Sequence, residues 1–228
     1  MGYTLCLFAL VFLQALVVRT LWVIPIFGIR EGAELSEKRG LQAGRALRLF
    51  VFLGSGGHTG EMLRLLDNYR TALLRPGTQL YVGFSDEASL RKFQTTVGAN
   101  LSGVEVQFLR FSKAREVGAS WLASTRSVAF SFVQSLWCLT WLKWQFVGQQ
   151  HLVLLNGPGT CCIIASWLKM LEIVTLTRSK IVYVESLART DTLSLSGKLL
   201  YPLVDEFVVQ WDELYERYDR ARCYGILV

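Results

Sequence analysis

A chain of 228 residues is long enough for one well-buried core but not for two, so we expect a single folded domain. Its five cysteines, an odd number without CxxC spacing, argue against a disulfide framework and a zinc site, so no bound metal is expected. The net charge of +6 suits an anionic membrane surface or a phosphate-bearing substrate, although an ordinary solvated surface also carries such a charge.

The first predicted element is a transmembrane anchor within residues 1–29. Hydrophobic residues make up 52% of the chain and are concentrated here: residues 3–18 contain no charge, and a second apolar run extends from Leu21 to Ile29. About 20 apolar residues cross a bilayer. No positive charge precedes the segment and no small-residue cleavage site follows it, so we expect a retained anchor and not a cleaved signal peptide. A buried core helix is the alternative.

Basic residues follow this apolar segment. They are Arg19, Arg30, Lys38, Arg39, Arg45 and Arg48. By the positive-inside rule, they place the rest of the chain in the cytosol. Residues 30–47 are charged and lack periodicity, which predicts a linker, and residues 48–228 are predicted to form the folded domain.

Short β-rich runs alternate with helical stretches through this domain. The predicted strands are residues 49–54, 79–84, 104–109, 152–156, 181–185 and 206–211. Continuous apolar strands separated by helices are typical of a parallel sheet covered on both faces. We therefore predict the α/β class, with a single Rossmann-like, doubly wound domain.

Residues 118–148, between the third and fourth strands, are aromatic and almost uncharged. They fit a second membrane span, a helix lying on the membrane, or a buried crossover helix. We favour the crossover helix with an interfacial face, because polar residues interrupt the stretch and the two strands need a connection. Trp137, Trp141 and Trp144 fall on one helix face, a spacing that is also common in protein cores.

The first predicted strand ends in a glycine-rich turn that runs through Ser55 to His58. Glycines at such a strand-to-helix junction let backbone amides approach a phosphate. Thr59 occupies the third glycine position of GxGxxG, and no Gly-Lys-Ser/Thr follows, so neither a dinucleotide site nor a P-loop is predicted. His58 fits a base or a cationic phosphate partner, and a residue that only completes the helix start is the alternative. His151 is predicted to be structural.

Three further groups follow predicted strands at the same edge of the sheet. They are Asn156 to Thr160 after the fourth strand, with Thr160 as a helix cap; Glu185, Ser186, Arg189 and the later Lys198 after the fifth; and Arg110, Lys113 and Arg115 after the third. Carboxyl ends of parallel strands are where open α/β sheets bind ligands. Together these residues surround one crevice with amides and cations, which suits a diphosphate.

Five motifs carry a family resemblance: GSGGHTGE, SKAREVGASW, LLNGPGTCC, IVYVESLARTDTLSLSGKLLYP and FVVQW. In this order behind an N-terminal anchor, they resemble the membrane-anchored subunit of the eukaryotic UDP-N-acetylglucosamine (UDP-GlcNAc) transferase of the asparagine-linked glycosylation pathway. The resemblance covers nearly all of residues 48–228. Both glycine turns also resemble the acceptor half of the bacterial peptidoglycan glycosyltransferase.

The resemblance implies one half of a GT-B glycosyltransferase divided between two chains. The partner would be a soluble subunit that binds UDP-GlcNAc, recruited to the cytosolic face of the endoplasmic reticulum. Together the chains would transfer GlcNAc to GlcNAc-diphospho-dolichol, and this chain alone would be inactive. No cofactor and no nucleic acid is implied.

The resemblance also implies residue roles. Glu185 would face the reacting sugar, and His58 would be the base that deprotonates the acceptor hydroxyl. The residues expected to hold the acceptor diphosphate are Gly54, Ser55, Gly56, Gly57, Thr59, Arg115, Asn156, Gly157, Gly159, Thr160 and Lys198. The residues expected to form an exposed docking tail are Tyr224, Ile226, Leu227 and Val228; an ordinary final edge strand is the alternative for this tail.

Two other functions compete with this interpretation. A membrane scaffold without chemistry would need only the docking surface, and the intact glycine turns with His58 argue against it. A nucleotide-dependent oxidoreductase would use the same turn, with Asp86 on a ribose. The missing third glycine disfavours this second alternative.

Overall fold

The computed structural model describes residues 2–27, 46–111, 121–157 and 159–228. The strands are β1 Arg48–Leu53, β2 Gln79–Phe84, β3 Glu105–Arg110, β4 His151–Leu155, β5 Ile181–Val184, β6 Glu206–Val209 and β7 Ala221–Cys223. The helices are α1 Gly2–Val23, α2 Gly57–Asn68, α3 Arg70–Leu73, α4 Glu87–Thr95, α5 Trp121–Phe146, α6 Thr160–Thr175, α7 Leu195–Leu200 and α8 Asp212–Arg217. Short 3₁₀ turns lie at Pro25–Phe27 and Gly98–Asn100.

All seven strands form one parallel sheet in the order β3-β2-β1-β4-β5-β6-β7. The prediction of a parallel α/β sheet is confirmed, and each predicted strand lies within two residues of an observed one. β1 pairs with β2 on one side and with β4 on the other. The chain therefore reverses its winding direction between β1 and β4, and the carboxyl ends of these two strands border a crevice.

A layer of helices covers each face of the sheet, and the side chains of β1 point alternately into the two layers. Phe50 and Phe52 pack with α5, α6, α7 and α8, whereas Leu49, Val51 and Leu53 pack with α2, α3 and α4. All five side chains are at most 1% exposed. Both faces of β1 are therefore core, which explains its unbroken apolar sequence.

Helix α5 is the crossover between β3 and β4. Leu139, Leu142 and Phe146 are buried against the sheet. Trp137 and Trp144 are 76% and 66% exposed. Trp141 lies between these extremes, 39% exposed and in edge contact with Tyr81 of β2. The crossover prediction is confirmed, but the tryptophan face is turned mainly outward and not into the core.

Within the described residues, Tyr3–Val23 is the one helix long and apolar enough to cross a membrane by length and composition. Its mean hydropathy is 2.1, and 6% of its most apolar window is buried inside the protein. The predicted linker, residues 30–47, lies outside the described residues as far as residue 45.

Candidate functional site

The glycine-rich turn between β1 and α2 forms one wall of the crevice. Gly56 has a φ of 65°, a left-handed conformation that glycine adopts at little cost. Ser55, Gly56 and Gly57 are exposed, whereas Gly54 is buried at the end of β1. The backbone of three residues is therefore open to a ligand at the start of α2.

Thr59 was expected to hold the diphosphate, but its side chain stabilises the glycine-rich turn by buried hydrogen bonds. Its side chain is 2% exposed, and its hydroxyl contacts the Gly54 carbonyl and lies 2.8 Å from Ser89 Oγ. Ser89 Oγ also lies 3.0 Å from the Gly54 carbonyl oxygen. The Thr59 side chain therefore does not face a ligand, because its hydroxyl is buried and already hydrogen-bonded.

Glu61 lies one turn along α2 from His58 and contacts residues that follow three different strands at the crevice. Its Oε2 lies 3.8 Å from His58 Nδ1 and accepts a hydrogen bond from Asn156 Nδ2 at 2.9 Å. Its Oε1 accepts a hydrogen bond from Ser186 Oγ at 2.7 Å. The segments that follow β1, β4 and β5 therefore meet at one carboxylate.

These contacts shift the pKa values of His58 and Glu61 in opposite directions. The Glu61 carboxylate raises the pKa of His58 above its ordinary value of 6.5, with burial acting against it and Asn156 adding to the rise. Burial alone would raise the pKa of Glu61, but the nearby His58 imidazole and the hydrogen bonds from Ser186 and Asn156 outweigh burial and lower it. The negative charge of Glu61 and a positive charge on His58 therefore stabilise each other.

His58 presents one ring nitrogen to the crevice. Its side chain is 33% exposed, whereas Nδ1 is buried and lacks a hydrogen-bond partner among the described residues. Because Nδ1 faces Glu61, a proton on Nδ1 leaves the Nε2 lone pair for a substrate hydroxyl. This is the tautomer that a general base requires.

Asn156 and Gly157 pack directly against His58. Asn156 is 1% exposed and also donates from Nδ2 to the Val184 carbonyl at 3.2 Å. Its Oδ1 is buried without a hydrogen-bond partner among the residues that the structure describes. Gly157 has a φ of 118°, and a Cβ added there would lie 3.1 Å from both Cβ and Cγ of His58. The close approach of the two turns therefore requires glycine at position 157.

Glu185, expected to face the reacting sugar, points into its own loop. It is 1% exposed, and its Oε2 accepts hydrogen bonds from the Ser194 amide and hydroxyl, both at 3.1 Å. Its Oε1 accepts from the Ser186 amide at 3.1 Å. The expectation of a sugar contact is corrected, because the carboxylate is buried and organises the loop from 186 to 194.

The second glycine turn leads into α6. Gly159 is exposed and immediately precedes the helix, whose first residue is Thr160. No side chain caps α6, so the prediction of Thr160 as a cap is wrong.

Of the predicted cations, Lys198 and Arg110 lie in the described residues. Lys198 is exposed on α7. Arg110 is exposed at the end of β3 and lies 3.7 Å from Glu87. Arg115, with Lys113, lies outside the described residues.

The C-terminal tail divides into exposed and buried residues. Tyr224 and Ile226 are 62% and 60% exposed. Leu227 is 8% exposed, its amide donates to Gln210 Oε1 at 3.0 Å, and its carbonyl accepts from Asn68 Nδ2 at 2.9 Å. Val228 packs against the same core cluster. The expectation of a fully exposed apolar end is corrected for Leu227 and Val228, which close the core beneath β6.

Asp86, the ribose ligand of the alternative oxidoreductase, is the N-cap of α4. Its Oδ1 accepts from the Ser89 amide at 2.8 Å and its Oδ2 from the Ser89 hydroxyl at 3.0 Å. No cluster of three or more His, Cys, Asp or Glu side chains suited to a metal ion is found in the described ranges.

Glu61 was not predicted to be a functional residue. Its signal was its position three residues after His58, since residues at i and i+3 lie on one helix face. Ser186 was predicted to lie at the crevice together with Glu185, and it is Ser186 that contacts Glu61.

Two solved structures resemble the fold at low sequence identity. Acinetobacter baumannii MurG gives a TM-score of 0.48 at 11% identity, covering 72% of this chain and 41% of that one. Arabidopsis thaliana UGT89C1 complexed with UDP gives 0.47 at 13% identity, covering 81% and 50%. This chain therefore matches about half or less of the length of either structure.

Sequence comparisons identify the family. The family model described as "Oligosaccharide biosynthesis protein Alg14 like" matches residues 49–227. The Kluyveromyces lactis protein named UDP-N-acetylglucosamine transferase subunit ALG14 is 48% identical over 220 residues, covering 93% of both chains. Its Saccharomyces cerevisiae counterpart is 46% identical over 224 residues, covering 94% of both. The chain therefore belongs to the Alg14 family of UDP-N-acetylglucosamine transferase subunits.

Proposed function

We propose that this subunit binds GlcNAc-diphospho-dolichol and, with a soluble UDP-GlcNAc-binding partner, transfers GlcNAc to it at the cytosolic face of the endoplasmic reticulum. The observation that carries the proposal is the meeting of three rim segments at Glu61, beside the half-exposed His58. A scaffold would need no such junction. Residues 1–29 serve as the membrane anchor, which the length and hydropathy of α1 support.

The acceptor diphosphate binds at the two glycine turns. Ser55, Gly56 and Gly57 offer exposed backbone at the start of α2, and Gly159 does so before α6. Helix N-termini favour anions because their first amides lack helical partners. Arg115 and Lys198 are proposed to add positive charge for the same diphosphate.

His58 acts as the general base. Nε2 takes the proton of the acceptor hydroxyl while that oxygen forms a bond to the anomeric carbon of the donor GlcNAc. The bond from this carbon to the UDP oxygen breaks, and UDP leaves with the electron pair, so the configuration inverts. Glu61 is a positioning residue, which holds Nδ1 of His58 inward and stabilises the imidazolium.

The partner docks at the exposed part of the C-terminal tail. Tyr224 and Ile226 both lie in this part of the chain, directly after the edge strand β7. Two exposed apolar side chains beside an unpaired strand edge suit a protein partner.

The experiment is to express the full chain in membranes with and without the soluble subunit. Transfer is measured from UDP-GlcNAc to a short-chain dolichyl-diphosphate-GlcNAc analogue. We expect activity with both chains, loss of it in His58→Ala, and retention of it in His151→Gln, which changes the other histidine. Unchanged turnover in His58→Ala would refute the base assignment, and activity of this chain alone would refute the divided site.

A further inference from the structure

Exposed apolar side chains gather on one layer of the fold. On and directly after α5 they are Phe132, Val133, Trp137, Trp141, Trp144 and Val147; on and after α6 they are Met170, Val174 and Leu176; on α7 they are Leu195 and Leu199. In the layer of α2, α3 and α4, the described helices and the turn between them carry one large exposed apolar residue, Tyr69. The two helical layers therefore differ in the number of large apolar side chains that they expose.

The apolar anchor is attached to this same layer. Arg19 Nη2 near the end of α1 donates to the Glu172 carbonyl of α6 at 2.9 Å. The Ile26 amide donates to the Pro202 carbonyl after α7 at 3.3 Å. Val23 and Pro25 are buried between these contacts. The membrane segment therefore leaves the domain from the layer that exposes the apolar side chains.

The exposed face of α5 is apolar and rich in tryptophan, a composition typical of a membrane interface. From residue 132 to residue 146, the one charged side chain is Lys143. Lys143 is 3% exposed, and its Nζ donates to the Arg178 carbonyl at 2.6 Å and contacts the Ser179 hydroxyl, so its charge is turned inward. Tryptophan prefers the boundary between headgroups and acyl chains, where its ring is partly wet.

Helix α5 also connects the anchor side of the domain to the crevice. It follows β3, whose carboxyl end lies at the crevice edge, and it ends before β4 at the opposite edge. A helix of 26 residues is about 39 Å long, at about 1.5 Å per residue. Helix α5 therefore runs from the side of the sheet that carries the crevice to the opposite side, where the end of α6 contacts α1.

We propose that the outer face of α5, with the exposed apolar residues of α6 and α7, lies in the interface of a lipid bilayer. It holds the crevice beside the membrane, so that a lipid-linked acceptor reaches His58 while its hydrocarbon chain stays in the lipid. This inference rests on the proposed function, in which α1 crosses the same bilayer and the acceptor is lipid-linked.

Brominated lipids test this directly, since bromine quenches tryptophan fluorescence at short range. The full chain with its soluble partner is placed in bilayers of phosphatidylcholine with or without brominated acyl chains. Trp137→Phe/Trp144→Phe should remove a measurable part of the quenching. Trp22→Phe reports on the anchor. Trp211→Phe is the control, because Trp211 follows β6, donates to the Leu187 carbonyl at 2.7 Å and is not part of α5, α6 or α7.

The outcomes separate the two proposals. Quenching lost in Trp22→Phe but unchanged in Trp137→Phe/Trp144→Phe would overturn the interfacial face, leave the anchor in place, and point to a protein that covers α5. Quenching unchanged in every variant would overturn the anchor as well. A second measurement uses Trp137→Glu/Trp144→Glu, for which we expect a several-fold higher KM for a long-chain acceptor in bilayers and an unchanged KM for a short-chain acceptor in detergent.

Discussion

Gly157 lies so close to His58 that a Cβ added at position 157 would stand 3.1 Å from Cβ and Cγ of the histidine. The two residues come from different turns, one after β1 and the other after β4. The backbone at Gly157, which is distant from His58 in sequence, therefore restricts the position of the imidazole.

The first prediction concerns Gly157→Ala. The new methyl group displaces His58, and a misplacement of about 1 Å can cost roughly 10²-fold in rate. The φ of 118° adds strain of about 1–3 kcal/mol. Transfer by the two-chain enzyme measures the first effect, and thermal unfolding of the purified chain measures the second.

Gly148→Ala is the matched control for this variant. Gly148 also has a positive φ, 68°, but a Cβ there would meet nothing within 4 Å. It should lose stability without a comparable loss of turnover. Equal turnover losses in the two variants would show that strain, and not contact with His58, explains the effect of Gly157→Ala.

The second prediction concerns the pH profile of Glu61→Gln. His58 must be neutral to act as a base, so activity falls as the pH drops through its pKa, which Glu61 raises. Removing this negative charge lowers that pKa, so the acidic limb of kcat should move to lower pH. The plateau should fall at least about tenfold, because Glu61 no longer orients Nδ1.

Two variants control for a merely structural role of Glu61. Glu61→Asp should restore part of the plateau and move the acidic limb back toward higher pH. Glu213→Gln removes an exposed carboxylate from α8 and should leave the profile unchanged. A lower plateau with an unmoved acidic limb in Glu61→Gln would contradict the pairing with His58.

The sheet was predictable because each of its first six strands carries its own signal. Runs such as 49–53 are apolar at every position, and glycine or polar residues end them. The edge strand β7 was not predicted at its observed position, since its three residues, Ala221–Cys223, carry no continuous apolar run and the alternative of a final edge strand concerned the tail after them. The glycine turns were likewise local features, so their positions at the carboxyl edge could be anticipated from the strand pattern.

The connections around Glu61 were not predictable by the same reasoning. Its bonds to Asn156 and Ser186 span 95 and 125 residues, and no local pattern encodes them. The side-chain directions of Glu185 and Leu227 were not predictable either. Both were expected to face a ligand or a partner, and both are buried. Direction within a loop depends on packing partners that are distant in sequence.

The third prediction separates the two kinds of residue in the C-terminal tail. Leu227→Ala removes a buried side chain and should destabilise the chain by about 2–3 kcal/mol. Ile226→Ala changes an exposed neighbour and should leave the melting temperature unchanged while reducing co-purification of the soluble partner. Co-purification unaffected by Ile226→Ala, alone and with Tyr224→Ala, would remove the exposed tail from the docking surface.

The fourth prediction compares two helical glycines with opposite expected signs. An added Cβ at Gly197 would lie 2.0 Å from Glu185 Oε2, which is held by hydrogen bonds from Ser194. Gly197→Ala must therefore displace this carboxylate and weaken the start of α7. At Gly60 the nearest such atom is the flexible Lys92 Nζ at 3.4 Å, so Gly60→Ala should stabilise α2 by about 0.5–1 kcal/mol.

Thermal unfolding of the full chain measures both changes. We expect a lower melting temperature for Gly197→Ala and an equal or higher one for Gly60→Ala. Combining Gly197→Ala with Glu185→Ala should recover part of the lost stability, because the clash disappears with the carboxylate. If the double variant is less stable by the full sum of the single changes, Glu185 and Gly197 do not interact, and the close contact that turns Glu185 away from the crevice is absent in solution.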